Sequence, residues 1–203
     1  MYSETLTPRI NQMFDDLQIQ VTNIVKTQNN MKDAGNNIAL AVASETTAKG
    51  KTMLNDMFAY LSDKLLESPD FSVVTRQNRF YELNLRNEIL DKYVFETESK
   101  IDIPESSKVV NSLIASAGTA AIGGILVFAL SPASPVVPVA VVVAASISAF
   151  CLSYQVIEPN RSKAKFTVAI NTYLDEIRKQ YLAWFDEVER FFNKRVNELK
   201  ATF

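Results

Sequence analysis

Ile125, Leu126, Val127, Phe128, Val136, Val137 and Val139 gather around three prolines, Pro132, Pro135 and Pro138, inside a run that holds no Asp, Glu, Lys or Arg. The run covers residues 109–157, between Lys108 and Glu158. Side chains of this kind offer one chemistry, the transfer of apolar surface out of water, worth about 25 cal/mol per Å². Covalent chemistry has far less to work with. The chain has no histidine, which removes Ser-His-Asp and Cys-His catalysis and histidine-ligated metal sites. Its single cysteine, Cys151, excludes an intramolecular disulfide. The carboxylates Asp15, Asp16 and Glu67 are spread along the chain as a solvated face would have them. No catalytic group, metal or cofactor is expected.

The elements that must carry the apolar residues follow from the prolines. Each proline lacks an N–H and clashes with the preceding helical turn, so the three together break the run near its middle and let the chain reverse. The halves, 109–130 and 136–157, would each make a helix about 33 Å long at 1.5 Å per residue. A bilayer's hydrocarbon core is about 30 Å thick. Small residues recur at every fourth position: Ser112, Ser116, Ala120 and Gly124 in the first half, Ala140, Ala144 and Ser148 in the second. Such ridges let two helices approach closely in lipid, where dispersion and packing replace the hydrophobic effect. The expectation is an apolar helical hairpin at 108–158 that enters a membrane. Arg161, Lys163 and Lys165 behind it favour the cytoplasmic side for both flanks, and hence for both termini. The competing outcome is a hairpin buried in a soluble core, or hidden there until released.

The flanks read as helices. At the C-terminal side, Ile170, Leu174, Ile177, Tyr181, Trp184, Val188 and Phe191 step by three and four, with Phe185 and Phe192 widening the stripe. Phe80, Leu83, Leu85, Ile89, Leu90, Tyr93 and Val94 mark a counterpart over 77–99, and Ile10, Met13, Phe14, Leu17, Val21 and Ile24 a weaker one over 8–30. Residues 36–66 are expected to be an ordinary helix that tolerates Gly50 at a cost of about 1 kcal/mol. The fold expected is all-α: an antiparallel bundle or stalk from 1–107 and 159–203, with the hairpin projecting from one end. With net charge −2 and a pI near 5.3 there is no basic face for nucleic acid.

Residues 38–58, "IALAVASETTAKGKTMLNDMF", resemble the opening of a dynamin-like GTPase, where a strand leads through a "GETSAGKST" loop into a helix beginning "LLN". Ser44, Glu45, Thr46, Thr47 and Ala48 fall in register with it, as do Met53, Leu54 and Asn55. The segment "LLESPDFSVVTR" at 65–76 is similar to that family's switch, with Thr75 at the metal-facing threonine. The two loop glycines are replaced by Ser44 and Lys49, Gly50 stands where the lysine belongs, and Lys51 comes one position late. Side chains at 44 and 49 obstruct the nest of backbone N–H groups a phosphate needs. The layout after residue 77, helix, apolar run, then long helix, resembles the stalk and membrane-inserting paddle of bacterial dynamin-like proteins. The resemblance implies such a stalk and paddle with a degenerate or missing GTPase.

Three functions are compatible with these features. The first is a non-enzymatic protein that anchors to, shapes or tethers membranes through the hairpin, self-assembling or working with a dynamin-like partner. The second is an α-helical pore-forming toxin subunit with a sequestered hairpin. The third is a dynamin-like relative with residual nucleotide binding in the 44–52 loop.

Overall fold

A computed structural model of the chain describes residues 2–29, 31–97, 139–143 and 163–203. Helix dominates them, as the all-α expectation has it. The elements are α1 (Tyr2–Thr27), α2 (Met31–Leu66), a short 3₁₀ turn (Pro69–Phe71), α3 (Val74–Glu82), α4 (Leu85–Lys92), strands β1 (Tyr93–Thr97) and β2 (Val139–Val143), and α5 (Lys163–Lys200).

Helix α1 buries Leu6, Ile10, Met13, Phe14, Leu17, Val21 and Val25, one stripe at three- and four-residue steps. It starts six residues before the expected limit at 8, even though Pro8 lies inside it. The reason is tertiary. The first N–H groups of a helix have no partner within it; here Tyr2 and Ser3 donate theirs to the Glu189 carboxylate of α5 at 2.9 and 2.8 Å. Burial pushes the Glu189 pKa up, but these two N–H donors outweigh it and hold the carboxyl below its ordinary value.

Paired contacts give the helix directions. Tyr2 stacks on Tyr60 at 4.4 Å and Arg9 pairs with Asp56 at 3.0 Å, so α1 and α2 are antiparallel. Tyr2 with Glu189 and Asp15 with Arg178 (3.2 Å) make α1 and α5 antiparallel too. Helices α2 and α5 then run the same way, joined by Thr46 to Tyr181 and Phe58 to Phe192. The α5 seam is buried from Phe166 to Leu199, passing through Phe192 rather than Phe191, which is only partly covered.

The single helix expected over 77–99 is instead α3, α4 and β1. Asn84 breaks it, in the left-handed conformation at φ 48°. Asparagine tolerates that region better than most residues, and it is the usual conformation one residue past a helix cap. The α3–α4 segment folds back along the end of α5: Phe71 meets the Phe203 ring at 5.3 Å, Asp70 pairs with Lys200 at 2.7 Å, and Arg195 bridges Glu198 (2.7 Å) and Glu88 (3.1 Å). From there β1 returns to pack against both α2 and α5.

Gly50 has a packing role. A Cβ there would lie 2.7 Å from the Tyr181 hydroxyl oxygen, and Tyr181 is fully buried, so its ring cannot swing aside. Gly50→Ala, though it favours helix by about 1 kcal/mol, is expected to lower stability by about 1 kcal/mol net through overpacking. In a Tyr181→Phe background, where the nearest remaining ring carbon is 3.5 Å away, the same change should be neutral or stabilising; urea unfolding checks the sign reversal. Glu189→Ala should cost about 1–2 kcal/mol by uncapping α1. Because the folded pKa lies below the unfolded value of about 4.3, the capping contribution is complete above that pH and vanishes as pH falls through the folded value. Glu189→Gln should therefore flatten the stability–pH curve below about pH 4.

Candidate functional site

The elements that flank the apolar run meet at β1. Tyr93 and Phe95 alternate along it and are both buried, the two-residue period of a strand. Phe95 stands edge-on to Tyr181 at 4.6 Å and against Trp184 at 5.6 Å, while Tyr93 meets Phe191 at 5.3 Å. Phe14 reaches the other side of Tyr181 at 5.9 Å, and Phe185 packs on both Tyr181 and Trp184. Offset and edge-to-face pairs add about 0.5–1.5 kcal/mol each beyond area burial, so β1 is clamped. The Tyr181 hydroxyl donates to the Thr46 carbonyl of α2 at 2.9 Å. Burial, aided by the charge of Glu45, pushes its pKa upward, and burial does the same for Tyr93. Both phenols stay protonated. The Trp184 Nε1 has no acceptor among the described residues.

Against this clamped strand lies β2. The two run parallel, in register from Tyr93 opposite Val139 to Thr97 opposite Val143. Two of the residues read from the sequence as belonging to the apolar hairpin are therefore placed: Val139 opposite Tyr93 and Ala140 opposite Val94. The helix expected over 136–157 is corrected at this point, since Val139–Val143 is extended. Four of its five residues are valine, whose branched Cβ favours strand over helix, and β1 offers it a ladder. Ile125, Leu126, Val127, Phe128, Val136, Val137, Ser112, Ser116, Ala120, Gly124, Ala144 and Ser148 lie outside the described residues. Among the described residues no helix is long and apolar enough to cross a membrane, and no cluster of acidic or cysteine side chains could hold a metal ion.

The segment resembling a phosphate loop is an uninterrupted part of α2. Its residues divide by helix face. Thr46, Gly50, Met53 and Leu54 point into the core, with the Thr46 hydroxyl returned to the Val42 carbonyl at 2.7 Å. Ser44, Thr47, Lys49 and Lys51 are exposed, and Lys49 pairs with Glu45 at 3.7 Å. Asn55 accepts from Arg86 of α4 at 2.8 Å. Thr75 is exposed in the first turn of α3. Asp15 and Asp16 are exposed, as expected of a solvated face, with Asp15 held by Arg178.

No protein-family model, no curated protein and no solved structure matches this chain. The geometry of the β1 clamp therefore carries the argument. Sequence reasoning passed over Phe95, although the alternation in "YVFET" is a strand signal of β-branched and aromatic residues. Phe95→Ala should cost about 3–5 kcal/mol, the usual penalty for emptying a buried aromatic site. Trp184, the chain's one tryptophan, sits beside the vacated space, so its emission should shift to the red as water enters; unchanged emission would separate β1 from this cluster.

Proposed function

We propose that this chain is a non-enzymatic, membrane-inserting helical protein that anchors to, shapes or tethers membranes through the run 109–157. The observation that carries the proposal is the absence of Asp, Glu, Lys and Arg over 109–157, beside a body whose α1, α2 and α5 seams are buried against one another. A charge-free stretch of that length is suited to hydrocarbon. The lipid surface is its first partner. The similarity of layout to dynamin-like stalks supports assembly with further copies or with a dynamin-like partner. The basic residues Arg161, Lys163 and Lys165 favour a membrane location with both termini in the cytoplasm.

One observation favours a second reading. Val139–Val143, part of the charge-free run, lies docked on β1. A hairpin held on its own body in water and released at a target is the behaviour of an α-helical pore-forming toxin subunit. Flotation with liposomes tests both readings. Wild-type protein should float, and Val127→Arg should weaken partitioning by about 2.5–3.5 kcal/mol. Release of entrapped dye by bound wild-type protein selects the pore; binding without release selects the anchor. No flotation under any condition ends both.

A further inference from the structure

We propose that the β1–β2 ladder is a latch, which holds the apolar run on the helical body in water and has to open before that run enters lipid. The inference rests on the membrane reading above and names the contact that controls it. Its two halves are unequal. Strand β1 is fixed in the body through Phe95 on Tyr181 and Trp184, and Tyr93 on Phe191. Strand β2 is paired with it along five residues, and an isolated two-stranded pair is marginally stable in water. Strand β2 is the half that belongs to the charge-free run.

The requirement to open comes from the backbone. A strand pair leaves one row of N–H and C=O groups on each outer edge without a ladder partner, and water satisfies them. Hydrocarbon does not, so segments that enter it are helices or closed barrels. Among the described residues the sheet formed by β1 and β2 has two strands, and it is neither. Val139–Val143 therefore occupies a water-side state here, and the same residues reach hydrocarbon only after leaving β1. Tyr93 and Phe95 stay behind with the core. A protein of this kind has two states, and the ladder sets the fraction competent to insert, which scales its apparent affinity for membrane.

A disulfide across the ladder tests this. Val94 and Ala140 are opposite one another, and neighbouring strands lie about 4.8 Å apart, inside the range of about 4.4–6.8 Å for Cα atoms that a disulfide bridges. Full-length protein carrying Cys151→Ser, Val94→Cys and Ala140→Cys is oxidised, its free thiols are counted, and flotation is measured with vesicles of phosphatidylcholine and phosphatidylglycerol. The oxidised form should bind at least about tenfold more weakly than the reduced form, and dithiothreitol should restore binding. Equal binding by oxidised and reduced protein overturns the latch while leaving the membrane reading intact. Failure of the two thiols to pair in folded protein, judged by circular dichroism, overturns the ladder itself. If the Cys151→Ser parent does not float, the membrane reading fails and the latch falls with it.

Discussion

Tyr181 is the contact on which the packing of this molecule depends. Fully buried, it meets α1, α2 and β1: Phe14 on α1, Gly50 and the Thr46 carbonyl on α2, Phe95 on β1, and Trp184 and Phe185 on its own helix. A tyrosine can do this because its ring is large and apolar while its hydroxyl finds an acceptor at the far end. The acceptor is a backbone carbonyl, reached only because residue 50 has no Cβ. Gly50 thus lets α2 lie close against the Tyr181 hydroxyl of α5, and β1 packs against both helices.

The constraint extends to the ends of the body. Helix α1 lies antiparallel to both α2 and α5, and its first turn is completed by a carboxylate on α5. Further toward the C-terminal end of the same helix, ion pairs from Arg195 and Lys200 hold α4 and the 3₁₀ turn. The Lys200 pair is largely solvated and contributes little alone; the apolar seam beneath supplies most of the stabilisation. Charges on the surface select the register in which the helices meet, while the aromatic centre selects how close they come.

Function is tied to this frame through β1. The strand belongs to the body by its side chains and to the apolar run by its backbone ladder with β2. A segment with no charged residue needs protection in water, and pairing with a clamped strand supplies some of it for Val139–Val143. In lipid the demand reverses, because backbone groups need internal partners. On the proposed membrane reading, the same five valine-rich residues would answer to two solvents by different means.

The amino-acid sequence determined the helical body by itself. The three- and four-residue steps of Ile10 to Val21 and of Ile170 to Val188 admit one buried face, and those residues are buried. It also marked 109–157 as unlike the rest, because absence of charge is a property of composition alone. Tertiary structure decided what local pattern left open. Helix α1 reaches back to Tyr2 because Glu189, far along the chain, caps it. Residues 44–54 are the helix expected from the sequence, but that Thr46 and Gly50 face a tyrosine more than a hundred positions away is a tertiary fact. Val139–Val143 is a strand because β1 lies beside it; in hydrocarbon, without that partner, its backbone hydrogen bonds would have to close within the segment, as in the helix expected from length and composition.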